Sequence, residues 1–212
     1  AVFLYFRTPI HLRQRGIILE ETDYVLRSDT LFSALIWGAY YIGGNNYVKE
    51  ILQQFLEGRI RISSGFPFIE IDDKRYLFFP KPIVSIDNLV SEYIEDIKKL
   101  KKARYLPREL FQQFINGEKL SSEDVSKLDL MLKKLSDYMK IISRPRVMID
   151  RINASSMLYF ITGIAFKNSE TEKSGFYFMI QAENTLIKKI KNILNILRDH
   201  GIGGERTYGW GS

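Results

Sequence analysis

Residues 201–211 read Gly-Ile-Gly-Gly-Glu-Arg-Thr-Tyr-Gly-Trp-Gly, and we call this stretch the glycine loop. It follows a helical pattern with Leu186, Ile190 and Leu197 on one face, and it holds five glycines, one arginine and two aromatic residues. Glycine tolerates positive φ and close backbone approach, and successive N–H groups in such a turn can form a concavity that binds anions. The loop therefore predicts contact with a polyanion, with the arginine on phosphate and the tyrosine and tryptophan faces stacked on bases.

A purely structural interpretation of the glycine loop competes with this one. Gly201 directly follows a helix and suits a C-cap, but capping explains Gly201 alone. Glycines spaced one apart also occur at bulges and tight strand entries. The spacing is not that of a Walker A loop, because no Lys-Ser or Lys-Thr follows, and a dinucleotide fingerprint would precede its helix. The position after a helix argues against nucleotide binding.

Composition limits the class of protein. The 212 residues include 31 lysines and arginines against 25 acidic residues, and the net charge of +6 is compatible with nucleic acid. The chain has no cysteine, which excludes disulfides and thiolate metal sites, and its 45% hydrophobic content is that of an ordinary globular protein. No apolar run is long enough to span a membrane, and no signal peptide pattern precedes the first strand. We expect a cytoplasmic protein without a cofactor.

The first predicted elements are a buried strand over residues 2–6 and a helix over 31–42. Ser28 is the expected N-cap of this helix, and Asp29 favours the positive end of its dipole. Because the helix is apolar on nearly every side, we expect it to be buried. Gly43-Gly44 ends it, and a second helical stretch follows.

Strand patterns recur further along the chain, at residues 59–63, 68–71, 76–79, 146–150, 157–165 and 175–181. The second and third of them flank Asp72-Asp73-Lys74, which predicts a hairpin. Residues 87–142 instead carry amphipathic helix patterns, one of them capped at Ser121, and form a predicted helical insertion. Asn184 or Thr185 caps the last helix. Without the insertion the order is β-α-β-β-α-β, so the predicted fold class is α+β with a ferredoxin-like, or RRM-like, core over residues 1–86 and 143–212.

Four separated segments resemble one family. Besides the glycine loop, they are residues 5–11 (Tyr-Phe-Arg-Thr-Pro-Ile-His), Arg15-Gly16, and residues 144–151 (Arg-Pro-Arg-Val-Met-Ile-Asp-Arg). Together with the ferredoxin-like order they resemble RAMP proteins of CRISPR systems, in particular the Cas-five-like fourth subunit of type III-A Csm effector complexes. The insertion over 87–142 matches only in general character.

The resemblance implies a non-catalytic subunit of a ribonucleoprotein. In that family the subunit holds the repeat-derived 5′ handle of the CRISPR RNA and joins the large polymerase-nuclease subunit to the backbone RAMP subunits, in antiviral defence. A β-hairpin thumb is also implied, with its tip over residues 152–157. Family members carry a second ferredoxin-like domain after the glycine loop, so we expect this chain to be truncated before that domain.

The expected RNA-binding residues lie in four places along the chain. They are His11, Arg13 and Arg15 after the first strand, Ser28 at the first helix, Arg144, Arg146, Arg151 and Met157 in the hairpin, and Gly201, Gly203, Gly204, Arg206, Tyr208, Gly209 and Gly211 in the glycine loop. Single-stranded RNA is held by cations along its phosphates and by ring or apolar faces at its bases. Each residue type has an ordinary alternative: a solvated arginine, a plain cap for Ser28, and core packing for Met157.

Catalysis is the competing hypothesis. Related RAMP proteins include metal-independent endoribonucleases that process CRISPR repeat RNA, often with a histidine as general acid or base. Only His11 and His200 are available, and the dipole at a helix C-terminus already accounts for His200. No carboxylate cluster or H-E-x-x-H motif indicates metal chemistry, and the aromatic signature of a generic RRM is not found. We therefore expect neither enzyme activity nor a metal.

Overall fold

The computed structural model describes residues 1–12, 22, 24–83, 94–153 and 155–212, with the side chains of 94–97 excepted. It is a mixed α/β structure with antiparallel strand pairs. In chain order the elements are β1 (Val2–Tyr5), α1 (Ser28–Leu56), β2 (Arg61–Ile62), β3 (Phe66–Ile71), β4 (Lys74–Pro80), α2 (Ile94–Lys102), β5 (Tyr105–Pro107), α3 (Arg108–Ile115), α4 (Ser122–Tyr138), β6 (Met139–Ile149), β7 (Ser156–Phe166), β8 (Glu172–Phe178), β9 (Ile180–Gln181) and α5 (Asn184–His200). None of the helices in these described ranges is long and apolar enough to cross a membrane.

The chain divides into two compact units. The first comprises Ala1–Gly65, Lys140–Phe166 and Phe176–Ser212, and the second comprises Phe66–Met139 and Lys167–Gly175. The predicted domain limits, with the insertion at 87–142, stay a prediction.

Packing of α1 against α5 forms the centre of the first unit. The buried apolar residues of the two helices are Leu31, Ala34, Leu35, Ala39 and Ile51 of α1 and Leu186, Ile190, Ile193 and Leu197 of α5. Gly38 lies where the helices are closest, because a Cβ there would stand 2.7 Å from Cγ2 of Ile193 and 3.2 Å from its carbonyl oxygen. The predicted apolar face of α5 is therefore confirmed as its contact with α1.

The start of α1 differs from the prediction. Arg27 occupies the N-cap position without a side-chain hydrogen bond, and Ser28 is the first helical residue, so the predicted cap at Ser28 is wrong. The Ser28 N–H donates to Oγ of Ser64 at 3.2 Å, so a tertiary contact satisfies it. The predicted N-cap of α5 is also wrong. Glu183 occupies the N-cap position without a side-chain hydrogen bond, and Asn184 and Thr185 are the first residues of the helix itself.

The middle of α1 is broken, as the two glycines predict. Gly43 and Gly44 have non-helical φ values of −148° and +61°, and the helix then resumes. The expectation that this helix is buried on all sides is wrong. Trp37, Tyr40 and Tyr41 are 48%, 47% and 50% exposed, because the described part of the chain covers only the opposite side of α1.

Three strand pairs complete the first unit. β1 pairs with β8, where the rings of Phe3 and Tyr177 lie 5.8 Å apart. The prediction that residues 2–6 are buried holds only for Phe6, since Val2–Leu4 are half-buried and Tyr5 is exposed. β2 pairs with β9, and β6 pairs with β7 as a two-stranded hairpin that we call the ribbon.

The second unit combines a hairpin with three helices. β3 and β4 pair antiparallel, which confirms the predicted hairpin, and Asp72 and Asp73 in its two-residue turn both have positive φ. β5 pairs with β4. Ser121 and Asp124 form the predicted capping box of α4. The helices, β5 and the segments between them share a buried core, which is Leu100, Ala103, Leu106, Leu110, Phe114, Leu120, Val125 and Leu128.

Tyr138 gives this unit a pH-dependent contact. Its hydroxyl donates to Glu172, and burial together with this bond raises the pKa of Tyr138 to about 12. Because the folded pKa lies above the ordinary value of 10.0, the stabilisation is complete below pH 10 and is lost as the pH rises through about 12. We expect Tyr138→Phe to lower the free energy of unfolding by about 2 kcal/mol at neutral pH.

Urea denaturation at several pH values measures this effect. The difference between wild type and Tyr138→Phe should shrink as the pH passes from 10 to 12. A difference that stays constant over that interval contradicts the assignment.

Candidate nucleic-acid interface

The glycine loop lies in the first unit and is fixed to the residues that follow β1. The Gly204 N–H donates to the His11 carbonyl at 2.9 Å, and the Gly211 N–H donates to the Pro9 carbonyl at 2.8 Å. Within the loop, the Ile202 N–H donates to the Gly211 carbonyl at 2.9 Å. The loop is thus a closed turn anchored on residues 9–11. Gly201, with φ +77°, is the C-cap of α5, as predicted.

Most amides of the glycine loop already donate to backbone carbonyls, either of the loop itself or of neighbouring segments. Seven of its eleven residues donate their N–H groups to backbone carbonyls: Gly201, Ile202, Gly204, Tyr208, Gly209, Trp210 and Gly211. The loop therefore has fewer N–H groups with which to bind an anion than the sequence predicts. The side chain of Arg206 is the main group for an anion here, because it is exposed and has no carboxylate partner among the described residues.

Close packing explains most of the loop's glycines. A Cβ at Gly201 would lie 2.6 Å from the Trp210 carbonyl oxygen, and one at Gly203 would lie 2.6 Å from the His11 carbonyl oxygen. A Cβ at Gly211 would overlap the Ile202 carbonyl oxygen. Gly209 is different, because it has φ +77° but open space around it. Close packing within the protein therefore explains Gly203 and Gly211 as well as the C-cap Gly201.

Trp210 is a core residue. It is 2% exposed, and Gly163 of β7 leaves room for its ring, because a Cβ at that glycine would overlap it. The prediction that the tryptophan face stacks on a base is therefore wrong. Its Nε1 is buried and has no hydrogen-bond partner among the residues that the structure describes, and the same is true of Oε2 of Glu205.

Two arginines of β6 lie over the aromatic rings of the loop. The Arg146 guanidinium is 4.0 Å from the centre of the Tyr208 ring, and the Arg144 guanidinium is 5.4 Å from the Trp210 ring. These cation–π contacts connect the ribbon to the glycine loop. Tyr208 is 62% exposed, so it is the aromatic residue of the loop that an incoming base could reach.

His11 is held between β7 and the glycine loop. Its Nδ1–H donates to the Thr162 carbonyl at 2.7 Å, since a carbonyl can only accept. Its backbone pairs with Gly204, and a Cβ at that glycine would lie 2.7 Å from Cδ2 of the imidazole. The buried imidazole therefore has a fixed tautomer and orientation when neutral.

A cleft of about 370 Å³ lies where the start of α1 meets the glycine loop. Its lining residues are His11, Leu12, Asp29, Thr30, Ser33, Ala34, Trp37, Gly203, Gly204 and Arg206. Arg206 brings positive charge and Trp37 a half-exposed aromatic ring. The Asp29 carboxylate, which accepts from the Thr30 N–H at 2.6 Å, repels phosphate from the helix end. The cleft therefore has a cationic side, an anionic side and an aromatic face.

The ribbon extends the interface with exposed apolar and basic residues. Arg151 lies in the turn after β6 and is exposed. Met157 at the start of β7 is 57% exposed, so the alternative that it fills the core is wrong. The other exposed apolar residues of the ribbon are Ile141, Val147, Met148, Ile149, Ile152, Leu158 and Phe160.

The predicted site residues fall into groups. The cleft and loop bring together His11, Gly203, Gly204 and Arg206. Arg151 and Met157 lie in the ribbon, and Ser28 is outside the cleft lining. Arg13 and Arg15 lie outside the described residues.

Sequence reasoning missed Trp37 and Gly163. A glycine inside a strand pattern can signal close approach, and this signal could have identified Gly163. Nothing in the apolar pattern of α1 distinguished Trp37 from its buried neighbours. Within the described residues, no group of three or more histidine and carboxylate side chains could hold a metal ion.

Comparison with known proteins shows what this chain is similar to. Residues 3–212 match the RAMP superfamily. The chain is 31% identical over 198 residues to the CRISPR system protein Csm4 of Thermococcus onnurineus strain NA1, and the match covers 87% of this chain but 60% of that relative. The chain thus spans less than two thirds of the length of that relative.

Solved structures give the same fold. A chain of a Csm1–Csm4 cassette in complex with cA4 matches with a TM-score of 0.58 and 26% identity, over 92% of this chain and 67% of that one. A chain of a Csm3–Csm4 subcomplex of a type III-A interference complex matches with a TM-score of 0.51 and 16% identity, over 95% of this chain and 66% of that one. The second likeness concerns the fold alone.

Proposed function

Because this chain belongs to the RAMP superfamily, we propose that it is a non-catalytic subunit of a cytoplasmic type III-A CRISPR effector complex. In this role it binds the repeat-derived 5′ handle of the CRISPR RNA and contributes to antiviral defence. The observation that carries the proposal is the cleft in which Arg206, Trp37 and the glycine loop meet. Its combination of an exposed cation and a half-exposed ring suits single-stranded RNA.

The proposed binding mode assigns different roles to the residues of the cleft. Arg206 contacts a handle phosphate, and Trp37 and Tyr208 offer ring faces to unstacked bases. The glycines let the loop lie flat against His11, which supports the cleft wall. Asp29 keeps phosphates on the Arg206 side. Met157 in the ribbon acts as an apolar wedge beside the guide strand.

The proposal includes the architecture and the partners. The core is ferredoxin-like, with the ribbon as its thumb. The large polymerase-nuclease subunit is one partner, supported by the 26% identical chain of the Csm1–Csm4 cassette. The backbone RAMP subunit is the other, supported by the family resemblance of residues 5–11 and 144–151.

Sequencing the RNA that copurifies with the chain tests the RNA proposal most directly. The chain is coexpressed with a CRISPR array and the other subunits, and the bound RNA is sequenced from its 5′ end. We expect CRISPR RNA with an intact repeat-derived 5′ end. Bound RNA without a common 5′ sequence would count against handle recognition.

Metal-independent repeat cleavage is the alternative function, and the position of His11 in the cleft is the observation that favours it. Purified wild-type chain, His11→Ala and the control His200→Ala are incubated with labelled repeat RNA without metal. We expect no specific cleavage by any of them. Specific cleavage that is lost only in His11→Ala would establish a nuclease and overturn the non-catalytic assignment.

A further inference from the structure

The fold of the described residues uses only one of the two ring nitrogens of His11. The residue is 4% exposed, and its Nδ1–H donates to the Thr162 carbonyl at 2.7 Å. Nε2 has no hydrogen-bond partner in the part of the chain that the structure describes. Unlike Nε1 of Trp210, however, it is not fully enclosed. A nearly buried polar atom without a partner, on a side chain that is held in place, calls for an explanation.

The open edge of the imidazole belongs to the cleft. His11 and Gly204 are both among the residues that line it. A Cβ at Gly204 would stand 2.7 Å from Cδ2 of the ring, the carbon bonded to Nε2, so the glycine leaves this edge uncovered. Because Nδ1 is turned to the Thr162 carbonyl, Nε2 is the nitrogen that His11 offers to a molecule in the cleft.

The cleft has two walls of different chemistry. One consists of residues of α1 and the other of residues from the glycine loop and the segment on which it is anchored: Asp29, Thr30, Ser33, Ala34 and Trp37 against His11, Leu12, Gly203, Gly204 and Arg206. The ring and the carboxylate of the α1 wall suit the face and the amino groups of a base. The guanidinium of the loop wall suits phosphate. In the proposed binding mode the sugar-phosphate backbone therefore follows the loop wall, on which His11 lies.

We infer that His11 is a specificity-determining residue whose Nε2 accepts a hydrogen bond from a ribose 2′-hydroxyl. In the neutral imidazole the proton is on Nδ1, because the Thr162 carbonyl requires a donor, and Nε2 is then an acceptor. Phosphate oxygens also only accept, so they cannot pair with it. The 2′-hydroxyl is the donor that an RNA backbone offers and that DNA lacks. The inference rests on the proposed function and adds that this site selects RNA over DNA.

This contact binds the sugar and does not make the cleft a nuclease site. Cleavage through a 2′-hydroxyl needs a second group that protonates the leaving 5′-oxygen. Among the described residues that line the cleft, the other ionisable ones are Asp29 and Arg206. An ionised carboxylate has no proton to give, and a guanidinium does not release one.

The substitution His11→Asn separates the roles of the two ring nitrogens in the full chain. The asparagine amide can replace Nδ1–H as the donor to Thr162, whereas the acceptor at Nε2 is lost. His200→Asn is the matched control, because His200 ends α5 and is not among the residues that line the cleft. The probe is synthetic handle RNA with the sequence read from the copurified RNA. It is made with ribose throughout, and as a series with one 2′-fluoro sugar at a time, since fluorine cannot donate a hydrogen bond but keeps the sugar pucker of RNA.

Fluorescence anisotropy at pH 8 measures the affinities. We expect wild type and His200→Asn to bind one member of the 2′-fluoro series about tenfold more weakly than the all-ribose RNA, because an enclosed acceptor then loses its donor. His11→Asn should bind the all-ribose RNA about tenfold more weakly than wild type does. Fluorine at the sensitive position should have no further effect on this variant.

The other outcomes overturn the inference and separate it from the proposed function. Wild type that binds every member of the series as tightly as the all-ribose RNA refutes the sugar contact but not handle binding. Wild type that does not bind handle RNA refutes the proposed function as well. If His11→Asn weakens binding yet stays as sensitive to fluorine as wild type, His11 contacts a phosphate or a base, or only supports the cleft. Circular dichroism checks the fold, and His11→Phe replaces His11→Asn if the latter is unfolded.

Discussion

Replacing Gly211 with alanine is expected to lower the free energy of unfolding by about 4 kcal/mol, combining left-handed backbone strain with a steric clash. Gly211 has φ +81°, and a Cβ there would overlap the carbonyl oxygen of Ile202. That oxygen belongs to the backbone and cannot rotate away. The loop would have to open, which also breaks the bond from the Gly211 N–H to the Pro9 carbonyl.

Gly209→Ala is the matched control for this prediction. Gly209 has a nearly identical φ of +77°, but nothing lies near the place of its Cβ. Its replacement should cost only the left-handed strain, about 1 to 2 kcal/mol. Urea denaturation of both variants measures the difference. Equal losses at the two positions would show that the close approach to Ile202 contributes nothing.

Arg206→Glu is expected to weaken binding of handle RNA by roughly 100-fold, because a charge-assisted phosphate contact is replaced by repulsion. Arg206 is exposed at the cleft and has no carboxylate partner among the described residues, so its charge is available to RNA. The salt dependence of binding should also become weaker by the equivalent of about one phosphate contact. Fluorescence anisotropy with labelled RNA at several salt concentrations measures both quantities.

Arg198→Glu separates a local contact from a general charge effect. Arg198 lies in the last turn of α5 and is exposed, and its reversal changes the net charge by the same amount. It is not among the residues that line the cleft. We expect at most a few-fold loss of affinity for this variant. Similar losses for the two variants would mean that RNA responds to total charge and that Arg206 has no special role.

The sequence was sufficient to predict those turns and caps that depend only on residues close together in the chain. The turn at Asp72 and Asp73, the capping box at Ser121 and the C-cap at Gly201 are all confirmed. Each forms through contacts within a few residues, so its sequence pattern nearly determines its geometry. The cap predicted at Ser28 was wrong because a capping preference of about 1 kcal/mol yields easily to a tertiary contact.

Contacts between distant segments could not be predicted in this way. The ring of Trp210 is buried because Gly163 leaves room for it, and the two residues are far apart in the chain. Gly203 is required by the backbone of His11, which lies near the other end of the chain. The sequence marked Gly203 as unusual, but it could not tell whether RNA or the protein's own backbone lay against it. The half-exposed side of α1 was missed because apolarity alone does not say which partner covers a helix.

The attachment of the glycine loop to residues 7–11 has a consequence for synthesis on the ribosome. Arg7 donates its N–H to the Ser212 carbonyl at 2.7 Å, and His11 pairs with Gly204, so these bonds join the first and last segments of the chain. Contacts of such long sequence separation close slowly. The first unit can complete its hydrogen bonding only after residue 212 has left the exit tunnel, and until then residues 7–11, which follow β1, lack these partners. Assembly with RNA at the cleft therefore has to follow the synthesis of residue 212.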